Sequence, residues 1–466
     1  MPSIPASDRE LLIHWLGLRA DEWESQWQSQ PGEDLRRAIA AKPWQQAGFP
    51  ASRELLDQAI ARVVAHPADW AAHLLLRYHG RSYAAVPPAW LAPWLTAQTD
   101  RLLQVLPPVS DLTPTVLIPT YNRMAKLERA VASVLAQTLP SWRLLIVDDG
   151  SRDATPDFCR RLAASDARIR YLPKPANSGL ADSYDLLCSQ AETELIISLA
   201  DDDFMMPACL GTLQELFRRF PWIAMAGGGY YQLHLKQGQL MAKQYGPYYP
   251  GPQIADPATE LQRCGIVNPV FGSGQLLRRS ALARISAADP GLGPRSYSCW
   301  DWLSTAQLLA GYEVGYSPEI VVAYLDEADT PNTFGMDWGP SLMGMLELLI
   351  ADYAALFGPD SYPSPIIEYF LGMIVEPALV RNFHKALCQQ AEAAEMDGFI
   401  TRQRPVWESH RRIRAELLPR HDRRCLIDEH STSGLTGGNI PGLAEAKAPS
   451  ALQQLIRSLL RQSPPA

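Results

Sequence analysis

Short apolar runs alternate with helix-like segments through the middle of the chain. Four runs have the length and composition of buried strands, at residues 115–118, 142–147, 169–171 and 195–200. After the first run, apolar residues recur at the i, i+3, i+4 spacing of a buried helix face: Leu127, Ala130, Val131, Val134 and Leu135. Further helices are predicted over 155–164 and 180–190. This β–α alternation predicts a doubly wound α/β domain.

Helical patterns flank this domain on both sides. Ser7 and Glu10 form a capping box ahead of N-terminal helices, and Pro107-Pro108 predicts the linker into the α/β domain. Helices are predicted over 342–357 and 366–388, and the Ser-, Thr- and Gly-rich segment 431–442 is expected to be disordered. Apolar residues from Leu452 to Leu460 predict a short amphipathic helix that could dock on this protein, a partner or a membrane surface. The expected regions are helical at 1–110, α/β at 111–335, helical at 336–428, and a flexible tail with that helix at 429–466.

Two of the predicted strands end in acidic turns. Asp148 and Asp149 follow the second strand, and Asp201, Asp202 and Asp203 follow the fourth. Adjacent carboxylates repel one another unless a cation or a hydrogen-bonding ligand neutralises them. Oxygen ligands suit Mg²⁺ or Mn²⁺, which commonly joins carboxylates to substrate phosphates. Because ligands of open α/β sheets bind beyond the carboxyl ends of the strands, both turns are expected to face one cleft.

Each acidic turn also has a purely structural interpretation, in which it binds neither a metal ion nor a ligand. The triplet could be a solvated turn before the helix that follows Pro207, where carboxylates are favoured. Asp148 could instead form an Asx-turn or a helix cap. The residues alone leave both interpretations open.

Four short motifs in this order resemble the family 2 glycosyltransferases, an inverting family with the GT-A fold that uses nucleotide-diphosphate sugars. They are Pro119-Thr120-Tyr121-Asn122-Arg123, the stretch VDDGSRDAT at 147–155, Asn177-Ser178-Gly179, and the stretch ADDDFMMP at 200–207. The resemblance extends from about residue 113 to residue 324. It implies a Rossmann-like mixed sheet flanked by helices, with helical N-terminal and C-terminal extensions outside it.

The resemblance implies a nucleotide-sugar site. Thr120 and Tyr121 would lie against the base or ribose, although an ordinary turn after Pro119 is the alternative. Asp148 would accept the N3–H of a uracil, and Asp201 would approach the ribose. The remaining expected members of the site are Pro119, Arg123, Asp149, Asn177 and Gly179.

The resemblance also implies a metal site for Mn²⁺ or Mg²⁺. Asp202 would be the principal ligand that joins the ion to the diphosphate, with Asp201 and Asp203 as further candidates. Ala200 stands where many relatives have an acid, so which two carboxylates bind the ion is open. The helix after Gly179 lacks the Arg-Asn pair common in relatives, so Arg123 could help to neutralise the diphosphate, or could be a solvated residue at the start of a helix.

Inverting transfer also needs a base that accepts the proton of the attacking hydroxyl. In the family this carboxylate begins a helix roughly a hundred residues after the metal motif, and Asp301 matches that place. A carboxylate between Trp300 and Trp302 is expected to be partly desolvated, which raises its pKa. The alternative is that Asp301 only caps the helix.

The segment between these sites is expected to build the acceptor wall. Residues 223–226 predict a strand, and the Tyr-rich stretches 230–231 and 245–252 supply rings that could stack on sugars or simply pack a loop. Residues 271–277 correspond to the strand behind the acceptor cleft in relatives, and their glycines predict a close approach of a ligand or another backbone.

Composition is typical of a soluble enzyme and excludes several classes. The chain has 466 residues, 47% hydrophobic content and a formal net charge of −8, so nucleic acid is not an expected partner. Seven cysteines without a C-x-x-C pair favour reduced thiols, and no signal peptide or membrane-spanning run is recognised. The expected location is the cytoplasm, where the protein could also associate peripherally with the inner face of the membrane.

These observations predict a metal-assisted inverting glycosyltransferase that builds a bacterial cell-envelope glycan. The donor would be a nucleotide-diphosphate sugar with UDP as the carrier, and the acceptor a saccharide or a lipid-linked glycan. The flanking helices could also bind a protein partner. One alternative is a non-catalytic descendant that binds nucleotide sugars or acts as a scaffold. A nucleotidyltransferase is the second, although its Gly-rich signature is missing after the first strand.

Overall fold

The computed structural model describes residues 106, 109–221, 223–236, 239–255, 257–288, 300–326, 338–357, 360–377, 379, 393–421, 446–450 and 452–455. The predicted N-terminal helices, the Pro107-Pro108 linker and the segment 431–442 lie outside the described residues. Those expectations, and the region boundaries, therefore stay predictions.

The predicted β–α alternation is confirmed in the first half of the domain. Its elements are β1 (Pro114–Thr120), α1 (Met124–Leu135), β2 (Arg143–Asp148), α2 (Thr155–Ser165), β3 (Ile169–Pro173), α3 (Leu180–Gln190) and β4 (Leu195–Ser198). Strands β2 and β4 both pair in parallel with β1, and β3 pairs in parallel with β2. The carboxyl ends of these strands therefore lie at one edge of the sheet.

Burial explains where these elements form. The β1 residues Val116, Leu117 and Ile118 are fully buried, as expected for a strand covered on both faces. The face of α1 that carries Leu127 and Val131 packs into the same core. Leu135, which was predicted to lie on that face, is instead exposed, because the helix ends there.

The acidic triplet does not lie wholly in one turn. The strand that was predicted to reach Ala200 ends at Ser198, and Asp203 already begins the next strand, β5 (Asp203–Met205). The backbone N–H of Ala200 donates to Ser273 Oγ rather than to a neighbouring strand. Asp201 and Asp202 therefore occupy the turn, and Asp203 belongs to the sheet.

The second half of the domain makes the sheet mixed. Its strands are β6 (Met225–Lys236), β7 (Gln239–Tyr245), β8 (Gln253–Ile254), β9 (Leu276–Arg278), β10 (Val314–Asp326) and β11 (Ala446–Lys447). Strand β9 runs antiparallel between β4 and β6, whereas β10 pairs in parallel with β6 and antiparallel with β5 and β8. In the described residues, the sheet order is β11-β7-β6-β9-β4-β1-β2-β3, with β10, β5 and β8 off this path. The predicted α/β fold with a mixed sheet flanked by helices is confirmed.

The helices described next come after β5 in the chain. They are α4 (Cys209–Arg219), α5 (Pro257–Cys264), α6 (Arg279–Ala288), α7 (Trp300–Gly311), α8 (Trp338–Phe357), α9 (Ser364–Tyr369) and α10 (Ala393–Arg412). A 3₁₀ turn, Gly272–Gly274, precedes β9, so the predicted strand over 271–277 is wrong for its first part. The helix predicted over 366–388 begins as α9 and continues as a π-helical segment, Phe370–Val375; residues 380–388 lie outside the described part.

The C-terminal helices pack on the α/β domain. Leu342 and Leu346 of α8 share one core with Leu303 and Ala306 of α7. Gln307 of α7 donates a 3.1 Å hydrogen bond to Asp352 of α8, and burial raises the pKa of this carboxyl group to about 7. Within the described residues, no helix has the length and hydropathy needed to cross a membrane.

The chain returns to the sheet near its C-terminal end. Strand β11 pairs antiparallel with β7, and Leu452 is buried in a cluster with Phe204 and Leu233. The apolar face that begins at Leu452 therefore docks on this protein over the four described residues, 452–455.

Candidate functional site

Two carboxylates of the acidic turn share one cation. Arg123 Nη1 lies 3.1 Å from Asp201 Oδ1 and 3.2 Å from Asp202 Oδ2. Thr120 donates a 2.7 Å hydrogen bond to the other oxygen of Asp201, and Lys126 Nζ lies 4.0 Å from Asp202. The motif after β1 therefore contacts the turn after β4 directly, because these strands are parallel neighbours.

The position of Arg123 tests whether a divalent ion fits this turn. One guanidinium nitrogen stands where oxygens of Asp201 and Asp202 converge, so the two carboxylates are already arranged around a positive charge. No cluster of three or more His, Cys, Asp or Glu that could hold a metal occurs in the part of the chain that is described. A two-carboxylate site suits Mg²⁺ or Mn²⁺ when substrate phosphates and water supply the remaining ligands. The residues therefore fit such an ion.

Asp203 has a different partner from the other two carboxylates. Its Oδ2 accepts a 2.5 Å hydrogen bond from Ser273 Oγ, and its side chain is buried. Burial first, and then the charge of Asp202, raises its pKa well above the usual value; the charge of Asp301 adds to this shift. Asp203 and the predicted base are therefore close enough for their charges to interact.

Asp301 lies in the first turn of α7, where the segment before β9 surrounds it. Asn268 Nδ2 donates to Asp301 Oδ2 at 3.1 Å, and the backbone N–H groups of Gly272 and Trp302 also donate to the carboxylate. Burial raises the pKa of Asp301 in spite of these hydrogen bonds. Both interpretations of Asp301 remain compatible with this geometry, because it bonds to its own helix start and its charge also acts on Asp203.

The acidic turn after β2 is held by protein groups. Asp148 Oδ1 accepts from the backbone N–H of Ser151 at 2.9 Å, and Asp148 Oδ2 accepts from Tyr171 at 2.8 Å. The first of these bonds is a local turn of the kind that was the alternative for Asp148. The predicted contact of Asp148 with a uracil stays a prediction.

Asp149 organises the loop after β3. Its two oxygens accept from the backbone N–H groups of Ser178 and Gly179 at 2.9 and 2.8 Å. Lys174 Nζ lies 2.5 Å from Asp149 Oδ1. Gly179 needs its glycine, since its φ of +97° is left-handed. This loop presents Asn177 to solvent at the carboxyl edge of the sheet.

A group of four aromatic rings lies beside Asp301. Tyr230 stacks on Tyr245 with a centroid distance of 4.4 Å, and Phe271 stacks on Tyr324 at 4.7 Å. Tyr230 and Phe271 are 5.4 Å apart, and Asp301 is close enough to Tyr230 to influence its pKa. Tyr230, which was predicted for the acceptor wall, thus packs near the predicted base.

Sequence reasoning found the acidic residues but missed their supports. Tyr171, Lys174, Asn268 and Ser273 hold the candidate carboxylates, and no spacing along the chain marks them. Of the predicted nucleotide contacts, Tyr121 is 41% exposed, and Pro119 lies partly buried beside it. A cavity lined by Trp142, Arg143 and Arg168 opens at the opposite, amino-terminal ends of β1–β3 and shares no residue with this site.

The family model described as "Glycosyl transferase family 2" matches residues 115–285. Over these residues the chain is similar to glycosyltransferase family 2. The matched stretch includes both acidic turns and Asn268, whereas Asp301 lies beyond it.

Two curated relatives that match part of this stretch are bacterial glycosyltransferases. A GalNAc(5)-diNAcBac-PP-undecaprenol beta-1,3-glucosyltransferase of Campylobacter jejuni is 32% identical over 101 residues, which are 22% of this chain and 33% of that protein. The putative teichuronic acid biosynthesis glycosyltransferase TuaG of Bacillus subtilis is 35% identical over 88 residues, which are 19% of this chain and 35% of that protein. The matched stretch spans about a third of the length of these relatives, so activity and substrates are proposals here.

Two solved glycosyltransferase structures show a weaker likeness. Staphylococcus aureus TarS 1-349 in complex with UDP-GlcNAc has a TM-score of 0.47 at 12% identity and covers 70% of this chain and 92% of its own. The mannosyltransferase PcManGT from Pyrobaculum calidifontis in complex with GDP-Man and Mn²⁺ has a TM-score of 0.39 at 15% identity, with coverages of 76% and 97%. Both scores are below 0.5, so neither structure assigns a ligand to this chain.

Proposed function

We propose that this chain is a metal-assisted inverting glycosyltransferase that moves a sugar from a UDP-sugar to a hydroxyl of a saccharide or lipid-linked acceptor. The observation that carries the proposal is the arrangement around the acidic turn. Asp201 and Asp202 converge on one cationic position at the carboxyl edge of the sheet. Asp203, the next residue in the chain, is close enough to Asp301 for their charges to interact.

Asp202 and Asp201 are the proposed ligands of a Mn²⁺ or Mg²⁺ ion. When bound, the ion would supply positive charge for the diphosphate as the glycosidic bond breaks. Arg123 occupies the convergence point of the two carboxylates in this structure, and its side chain is 29% exposed. It would then turn towards the diphosphate, which compensates for the missing Arg-Asn pair. Asp203 is the weakest of the three candidates, because Ser273 and burial already account for its surroundings.

Asp301 is the proposed general base. The acceptor hydroxyl attacks the anomeric carbon, its proton passes to Asp301, and the bond between that carbon and the UDP oxygen breaks as UDP leaves. Attack on the face opposite to UDP inverts the anomeric configuration. The raised pKa of Asp301 suits this step, because a base works best when its pKa approaches the working pH.

A cell-envelope glycan as product and a cytoplasmic location with peripheral membrane contact complete the proposal. They are motivated by the C. jejuni relative, whose name includes an undecaprenol-linked acceptor. Separation of cell lysates into soluble and membrane fractions tests the location: recovery only in the soluble fraction would contradict membrane contact.

The direct test measures donor hydrolysis and transfer from a panel of nucleotide sugars with and without Mn²⁺. Asp202→Ala is expected to lower both rates by about a hundredfold or more, as loss of one electrostatic group typically does. Asp157→Ala is the matched control, because Asp157 is an exposed acid on α2 that pairs with Arg160. Asp301→Asn is expected to lower transfer but to leave the thermal shift caused by UDP and Mn²⁺ unchanged.

A non-catalytic binding or scaffold protein is the second candidate. It is favoured by the ion pairs of Arg123, which already place a cation between the two carboxylates, and by the protein partners of Asp148. If no nucleotide sugar were turned over, and Asp202→Ala did not change nucleotide binding, the enzyme proposal would be wrong and this candidate would replace it.

A further inference from the structure

The segment before β9 holds Asp301 on two sides. Asn268 donates to the carboxylate through Nδ2, and the N–H of Gly272 donates to the same group. Gln275 donates to the backbone carbonyl of Asp301 at 3.3 Å and to Thr305 at 2.7 Å. The carboxylate is therefore oriented by one side-chain amide and one backbone N–H group from outside its own helix.

Asn268 is itself held in place. Tyr230 donates a 3.1 Å hydrogen bond to the backbone carbonyl of Asn268, and Tyr230 stacks on Tyr245. The following residues are confined as well, since a Cβ at Gly227 would come within 2.5 Å of Val270. The backbone of Asn268 is therefore tied to the stacked aromatic rings.

The other end of the Asn268 amide is unsatisfied. Asn268 Oδ1 is buried and has no hydrogen-bond partner among the described residues. Exchanging the amide ends would place an oxygen against the Asp301 carboxylate, so the orientation is fixed by chemistry. A buried acceptor without a donor is costly, so its partner is to be sought in a ligand or an ordered water.

The missing partner must be a hydrogen-bond donor that sits beside the carboxylate of Asp301. In the proposed function, which this inference deepens, the attacking hydroxyl of the acceptor occupies that position. A saccharide carries a second hydroxyl on the neighbouring ring carbon, and this group can donate to Asn268 Oδ1 while the first donates to Asp301. The aromatic rings beside Asn268 supply an apolar surface of the kind that stacks on sugars.

We propose that Asn268 positions Asp301 through its amide N–H and selects acceptors that carry a free hydroxyl adjacent to the one that is glycosylated, which it recognises through Oδ1. Asn268 is a positioning and specificity residue for transfer. It takes no part in donor binding, which occurs at the turns after β1, β2 and β4.

The test uses p-nitrophenyl glycosides of glucose, galactose and N-acetylglucosamine as acceptors, each compared with its monodeoxy analogues. In the wild-type protein, removal of the hydroxyl adjacent to the reacting one is expected to lower kcat/KM by about tenfold to a hundredfold, as expected for one buried hydrogen bond. Removal of a distant hydroxyl is expected to change it little. This comparison does not depend on the folding of any variant.

Asn268→Leu is expected to lower kcat for transfer and to raise the acceptor KM, and to abolish the difference between the parent and the adjacent-deoxy acceptor. The thermal shift caused by UDP and Mn²⁺ should remain unchanged. Gln214→Leu is the control for loss of a buried amide, because Gln214 binds Leu112 on the far side of the domain.

The possible outcomes distinguish failure of the inference about Asn268 from failure of the proposed function. If wild-type protein transfers sugar but treats parent and adjacent-deoxy acceptors alike, or if Asn268→Leu keeps the full discrimination, the inference about Asn268 is overturned and the proposed function stands. If a nucleotide sugar is neither hydrolysed nor transferred, the proposed function is overturned, and the inference that rests on it falls too.

Discussion

Replacement of Asp201 by asparagine is expected to stabilise the protein while removing a proposed metal ligand. Burial, followed by the charge of Asp202, raises the pKa of Asp201 from 3.8 to about 6, although Arg123 and Thr120 favour the ionised form. The side chain is only 6% exposed, so solvent screens these effects little. Above pH 6 the folded protein thus holds a carboxylate in surroundings that favour its protonated form.

The magnitude follows from the difference in pKa between the folded and unfolded states. A group with a pKa of 3.8 when unfolded and about 6 when folded changes the free energy of unfolding by about 3 kcal/mol. Because the folded pKa is the higher one, this stabilisation is fully present below pH 3.8 and is lost as the pH rises to 6. Asparagine resembles the protonated carboxyl group at every pH, so Asp201→Asn keeps the stabilisation that the wild-type protein loses.

Urea unfolding in the presence of EDTA measures this effect. At pH 7.5, Asp201→Asn is expected to be more stable than the wild-type protein by about 3 kcal/mol, and at pH 5.0 the difference should fall to roughly half. Asp157→Asn, which changes an exposed acid on α2, should show little difference at either pH. In a separate series without EDTA, Mn²⁺ with UDP should stabilise the wild-type protein but not the variant, because a ligand that binds only the folded state raises its stability.

Two results would refute this reasoning. If Asp201→Asn is less stable than the wild-type protein at pH 7.5, the ion pair with Arg123 outweighs the effect of burial. If the variant is more stable by the same amount at both pH values, the gain does not come from ionisation of Asp201.

Two further predictions concern the same cleft. Gly272→Ala is expected to lower kcat for transfer by about tenfold or more and to leave UDP binding unchanged. A Cβ at Gly272 would lie 3.0 Å from Asp301 Oδ2 and would displace the base. Equal transfer kinetics for the wild-type protein and the variant would contradict this prediction. Arg123→Met is expected to tighten the binding of Mn²⁺ in the absence of nucleotide by up to about tenfold, because it removes the cation that competes for Asp201 and Asp202. Electron paramagnetic resonance of free Mn²⁺ measures this affinity. Weaker binding would show that Arg123 does not compete with the ion.

Local pattern predicted the first half of the domain closely. Helix α3 has the predicted bounds, Leu180–Gln190, because its apolar spacing and the preceding Gly179 are both local signals. The position of the acidic turns at one edge followed from the β–α alternation, because parallel strands place their carboxyl ends at the same edge of the sheet. The motif order also predicted the family of the domain.

The mixed half of the sheet could not be predicted in this way. Strand β10 pairs with β5, β6 and β8, and β11 joins β7 across about two hundred positions of the chain. Such pairings depend on ladder hydrogen bonds between distant segments, which leave no periodicity in either segment alone. The split of the acidic triplet between a turn and β5 has the same origin, since β10 pairs with Asp203.

The sequence by itself determined the α/β alternation, the acidic ends of β2 and β4, and the carboxylate at the start of α7, because each is written in a contiguous stretch of residue types. Only the tertiary structure decided which cation meets Asp201 and Asp202, which hydroxyl holds Asp203, and which amide holds Asp301. Arg123, Ser273 and Asn268 lie 78, 70 and 33 positions away from those partners. Contacts at such separations arise from packing of the whole sheet and its helices, and local propensity carries no information about them.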